Sequence, residues 1–334
     1  MSSFLLAAVS IGVVNARLQA GAARSQLPEP PLQLTPSEIK IYKSTETLID
    51  WTPSQIHECP FLRKLRPASS QEQLPMILDR VGQTGALLAN DFPQISCVEE
   101  VHTDAEFAQA SSDEQFTGDW QQKQENNATR QAMLPPFPPQ DRKFRYIVIP
   151  RTKGGLPGFE EYRTDLNGSP LGISSLNGVF MITSNFVSTG LYLTAAHQPD
   201  SSFRHFGMEA IRKRECHEVG FAQSPERVHT VGLITVRGKT AALLVQGLAW
   251  IDSETFQVLR VTTWLLAPRG DIGLNSSIST VDFFPVQPSG TERTLWLPRD
   301  VTVRGVYGGV TFHNTHHYFD FKLFRVESTI KPGG

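Results

Sequence analysis

The sequence predicts an α+β fold that is mainly antiparallel β: a curved sheet of roughly nine to eleven strands with one or two covering helices. Three observations carry this. From residue 142 onward, runs of alternating or β-branched residues succeed one another, divided by short turns rich in Gly, Asp and Asn. The runs follow directly, so hairpins connect them and not the long crossovers that parallel strands need. Ahead of them, residues 70–92 repeat their apolar side chains with a helical period.

Composition sets outer limits. Lys+Arg 31 against Asp+Glu 33 leaves a net charge of -2 over 334 residues, which argues against nucleic acid or an anionic membrane as an electrostatic partner. Charged residues make up 19%, too few for a coiled coil or an acidic disordered chain. No apolar run reaches the ~18 residues of a spanning helix, so no integral membrane segment is expected. Three cysteines exclude a disulfide-dense scaffold and a Cys₄ zinc site.

At the N-terminus, Phe4–Val14 form an eleven-residue apolar core and Ala20-Gly21-Ala22-Ala23 follow. This is the shape of a secretory signal over 1–23, although Met-Ser-Ser brings no basic side chain. Export to the periplasm or beyond would place Cys59, Cys97 and Cys216 in an oxidising space. One disulfide, with Cys59 and Cys97 nearest in sequence, and three buried inert thiols are equal alternatives. Residues 24–67 read as an extended Pro-rich leader lying against the main domain, with one short strand or turn near Ile39–Tyr42.

The half-barrel domain then spans 68–328. In the helix over 70–92, Leu74, Leu78, Val81, Gly85 and Leu88 share a face. It begins either at a Ser70/Gln73 capping box or with Pro75 in its first turn, and Pro93 ends it. A strand over 94–103 precedes a flexible insertion at 105–141, polar and then polyproline-like at Leu134–Pro139. Lys143–Pro150 and Phe159–Asp165 form a hairpin. Residues 178–196 are expected to be helical, with Phe180, Ser184, Val187 and Leu191 on one face. Strands follow at 203–208, 215–223, 241–251, 255–266, 277–286, 294–306 and 310–327. In the run 256–265 both alternating faces carry apolar residues, so each must meet a covering layer or a ligand.

Familiar catalytic signatures are missing. There is no G-x-S-x-G elbow, P-loop or dinucleotide fingerprint. His217-Glu218 is followed by Phe221 and not by the second histidine of a zinc helix. His313 and His317 sit about 13 Å apart on one strand face with His316 on the other, so no metal site and no other cofactor is expected. Glu99-Glu100 and Glu160-Glu161 each split across a strand. Asp282 and Asp320 lie among aromatics and are expected to pair with Arg299 or Arg325.

The segment GLAWIDSETFQVLRV at 247–261 resembles the strand–turn–strand of periplasmic lipoprotein carriers of the Lol type and related regulatory proteins. The tail at 294–328 resembles the closing hairpin of uncharacterised exported bacterial proteins of that outline. The resemblance implies a half-open barrel with helices plugging one side, and an apolar concave face that binds acyl chains. In this chain Trp250, Phe256, Val258, Trp264 and Phe283 are the residues it implies as the lining. The implied function is an exported, non-enzymatic carrier for a hydrophobic ligand or lipidated protein, with no catalytic residue. An envelope structural or protein-interaction module is the first alternative, meeting an envelope protein through strand edges or PPFPP. A secreted hydrolase using His217 or His317 with Asp320 is the second. An open aromatic cavity above about 300 Å³ would favour binding, and a closed core the structural reading.

Overall fold

The computed structural model describes residues 9–11, 34–91, 95–107, 138–153, 156–169, 171, 181–182, 186–228, 232–236 and 239–323. Its main body is one eleven-stranded sheet. In chain order the strands are β1 (Arg66–Pro67), β2 (Ile95–Phe107), β3 (Gln140–Lys153), β4 (Leu156–Thr164), β5 (Ser201–Ile211), β6 (Arg214–Gln223), β7 (Val245–Asp252), β8 (Val258–Leu265), β9 (Leu274–Val286), β10 (Leu295–Tyr307) and β11 (Val310–Leu323). Across the sheet they run β1-β5-β6-β7-β8-β9-β10-β11-β2-β3-β4, and every neighbouring pair is antiparallel. β1 and β4 do not pair, so the curved sheet stays open, as the half-open barrel requires. A second, four-stranded sheet joins Lys239–Leu243, Gly232–Val236, Val9–Ile11 and Met181–Ile182 in that order.

The strands follow the alternation closely. Where 241–251 reads as one run, Leu244 breaks it into a strand of the small sheet and β7. β2 and β3 also reach into the expected insertion, pairing Thr103 with Gln140. Residues 108–137, including the polyproline stretch to Phe137, lie outside the described residues, as does most of the signal segment.

Three helices are described: α1 (Pro36–Lys43), α2 (Pro53–Glu58) and α3 (Leu74–Asp91). α3 is the helix expected over 70–92; Ile77 and Val81 are fully buried against the sheet. Ser70 makes no capping box there, since its hydroxyl accepts only from the Glu72 N–H at 3.4 Å. Beside α3 the chain over Val187–Leu193 is a 3₁₀ helix where an α-helix was expected. The local chemistry explains this. The hydroxyls of Thr189 and Thr194 donate to the carbonyls of Phe186 and Leu191, three residues back, at 2.6 and 2.8 Å. Such bonds favour the tighter turn. α3, this 3₁₀ helix and the sheet enclose the largest core, on what is here called the inner face.

The leader departs most from expectation. The strand or turn near Ile39–Tyr42 is instead part of α1, and α2 follows after a 3₁₀ turn at Leu48–Asp50. One motif occurs twice: Thr35-Pro36-Ser37-Glu38 and Thr52-Pro53-Ser54-Gln55. In each, the threonine hydroxyl accepts from the third helical N–H, the Glu or Gln side chain returns to the threonine N–H, and proline opens the helix. These pieces form a strap across the outer face. Leu48, Cys59 and Leu62 bury themselves against Leu248, Trp250 and Leu259, and Tyr42 against Leu244 and Leu266.

Buried polar anchors fix the strap. The Leu48 N–H donates to Gln246 Oε1 at 2.8 Å. Arg204 donates to the carbonyls of Ile49 and Trp51 at 3.0 and 2.6 Å. Arg269, 2% exposed, donates to Tyr42, Glu38 and Asp271. Hydrogen bonds from Thr35, joined by the Arg269 charge, hold Glu38 below the usual carboxylate range, although burial pulls the other way.

Candidate functional site

The five residues implied as a lining do not converge. Phe256, Val258 and Phe283 pack on the inner core, whereas Trp250 and Trp264 belong to the outer one. A β-bulge sets Val258 apart from the two tryptophans. Trp250 pairs with Arg260 but Ile251 pairs with Val258, so one extra residue sits in β8. Side chains before the bulge therefore change faces relative to simple alternation. Val258 turns inward, while Leu259 joins Trp250 outside.

Trp264 is covered by the strap. Its ring is stacked against Trp51 and Phe61, with centroids 6.1 and 6.3 Å away. The doubly apolar hairpin is thus explained by two protein layers, one on each side of the sheet. Phe256, at φ 56°, stacks on His217 and lies 5.2 Å beneath the Arg80 guanidinium of α3.

The apolar cavity of the inner face lies elsewhere, between the 3₁₀ helix and strands β2, β3, β10 and β11. Ile95, Cys97, Val148, Phe186, Val187 and Leu297 supply most of its wall. Its volume is about 10 Å³, room for about one water, so this cavity is closed to a larger guest. None of the five implied residues lines it. The alternation of 95–97, 146–148 and 297 carried the signal for its wall, but the sequence offered no way to tell that the 3₁₀ helix would seat Phe186 there.

A buried polar knot borders this cavity. Arg163 donates through Nη2 to Glu99 Oε1 at 2.7 Å and through Nε to the other carboxylate oxygen. His316 Nδ1 and Tyr318 OH meet Glu99 Oε1 at 2.8 and 2.7 Å. Burial raises the Glu99 pKa, but the Arg163 charge and these bonds outweigh it and bring the group down to about 2. Burial depresses His316, and it pushes up Tyr146 and Tyr318. Tyr146 donates to Glu161. Glu161 in turn accepts the Val187 N–H at 3.1 Å, tying the start of the 3₁₀ helix to β4.

The residues considered for hydrolysis are not assembled. Asp320 pairs with Lys322 and His317 with Asp300, each at 2.7 Å. His217 stands on the inner side against His205 and Phe256. Asp282 pairs with Arg260 through two bonds of 2.9 Å, in place of the expected Arg299 or Arg325. The three cysteines are free and buried, with Cys59 in the outer core and Cys97 in the inner one. Of the two cysteine alternatives, buried thiols are what the structure contains.

No protein-family model matches the chain, and no curated protein matches it. Solved structures do. A putative outer membrane lipoprotein-sorting protein domain from Vibrio parahaemolyticus is 9% identical, with 73% of this chain and 91% of that one covered, at a TM-score of 0.35. A DUF1329 family protein from Desulfovibrio piger is 10% identical, with 76% and 94% covered, at 0.37. A LolA superfamily protein from Nitrosomonas europaea is 11% identical, with 75% and 94% covered, at 0.33.

Proposed function

We propose that this chain is an exported, non-enzymatic carrier for a hydrophobic ligand, an acyl chain or a lipidated protein, held on the inner face of the sheet. The observation that supports it is the cover on that face. Beside α3, the apolar wall at the cavity is closed by a seven-residue 3₁₀ helix, VSTGLYL. Runs of 3₁₀ helix beyond three or four residues are uncommon and often mark a hinge. Displacing Phe186 and Val187 would expose a continuous apolar surface on β2, β3 and β10. Each acyl CH₂ buried there contributes roughly 0.8 kcal/mol, so ten give about 8 kcal/mol. That is near micromolar affinity before the costs of association and of moving the plug.

The closed cavity also favours a second reading, an envelope structural or protein-interaction module. One experiment separates the two. Trp250 and Trp264 face away from the cavity, so the reporter is a Phe186→Trp variant titrated with fatty acids of rising length. The carrier reading expects a spectral shift whose midpoint falls as the chain lengthens, and lipid retained on the purified protein. An unmoved spectrum with no co-purified lipid by mass spectrometry leaves the structural reading.

A further inference from the structure

The outer face holds a groove that neither the strap nor the sheet fills. It lies where the 3₁₀ turn Pro60–Leu62 crosses β5, β7, β8 and β9, and its volume is about 270 Å³. Phe61 and Trp250 give it apolar surface, and Arg63, Lys64, Arg260 and Glu209 give it charge. These charges do not balance. Arg260 is neutralised by its two bonds to Asp282. Glu209 accepts the indole N–H of Trp250 at 3.1 Å. Arg63 and Lys64 are exposed and have no carboxylate partner among the described residues.

Glu218 stands directly across from Trp250 in the β6–β7 register, but it is fully buried and lies outside the groove's lining, so it adds no charge to the groove.

We propose that this groove binds a small organic anion with a flat apolar body, the body against Trp250 and Phe61 and the anionic group toward Arg63 and Lys64. The site lies across the sheet from the inner cavity and does not rest on the carrier reading.

Isothermal titration of the full chain with 2-naphthoate tests it. One saturable site is expected. Affinity should fall about tenfold or more in an Arg63→Glu, Lys64→Glu double variant, and similarly for neutral 2-naphthalenemethanol on the unaltered chain. Rising salt should weaken 2-naphthoate binding and leave the alcohol unchanged. Both substituted side chains are exposed, so the fold is unaffected, which circular dichroism checks. The proposal is overturned by an absence of saturable heat. It is also overturned if the double variant or the neutral alcohol binds as tightly, because the naphthyl group then sits in an apolar site elsewhere.

Discussion

Glu218 and Glu99 show how one residue type takes opposite states in one sheet. Both are completely buried. Glu99 faces Arg163 and stays ionised. Glu218 faces no cation, and burial, reinforced by the Glu209 charge, lifts it to about 9. The folded chain therefore holds a proton that the unfolded chain releases above its ordinary value near 4.5. A raised folded value gives a contribution that is complete below pH ~4.5 and is lost as pH rises toward ~9. Glu218→Gln, neutral at every pH, escapes this loss. Its urea midpoint is expected to match the unaltered chain near pH 4.5. It should then exceed it increasingly up to pH 9, by about one kcal/mol per pH unit. Equal pH dependence of the two proteins would show that Glu218 is ionised in the fold. The sequence could not separate these two glutamates. Each sits in an apolar run, and only the long-range partner, Arg163 for Glu99, distinguishes them.

At the scale of elements, the strap and the edge strand depend on a glycine. Gly207 has φ 149°, and a Cβ there would lie 2.1 Å from the Arg66 carbonyl oxygen. That close approach lets β1 pair with β5 and lets the Ala68 N–H donate to Phe206 at 2.8 Å. Gly207→Ala is expected to break this pairing and cost over about 1 kcal/mol. Its signature is faster amide exchange at Ala68, with Val219 and Val261 in the central strands unchanged. Protection retained at Ala68 would refute the account. Elements were the most legible scale in the sequence. Nearly every strand from 143 to 323 follows period-2 alternation, and α3 follows its 3.6 period. The misreadings share a cause: local side-chain hydrogen bonds overrode the apolar pattern. Threonine-proline boxes made helices of the leader, and threonine hydroxyls tightened 187–193. The extra residue in β8 then turned Val258 away from Trp264, because alternation fixes which residues share a face only until a bulge intervenes.

At the scale of the whole molecule, the sheet is a partition between two apolar compartments. The inner one is closed by α3 and the 3₁₀ helix, the outer one by residues 34–67. Export bears on this arrangement, since Val9–Ile11 of the small sheet falls inside the apolar core read as a signal. Cleavage near Ala23 would remove that strand and leave the Gly232–Val236 pairing with Lys239–Leu243 in place. N-terminal sequencing of the protein from the cell envelope is expected to begin at or next to Ala23. An intact Met1 on cytosolic protein would end the export reading.

The strap also fixes an order of events in time. Its anchors lie far along the chain: Tyr42 donates to Ala242, Leu48 to Gln246, and Arg269 reaches back to Glu38. Whatever emerges first during synthesis or translocation, residues 34–67 must wait for strands some two hundred positions later. Closing so long a loop is slow, and Trp51, Phe61 and Leu48 stay uncovered meanwhile. The outer layer is therefore a late latch, engaged only after β5 to β8 exist. In that interval the nascent chain presents an apolar segment for which a chaperone and an incorrect partner would compete.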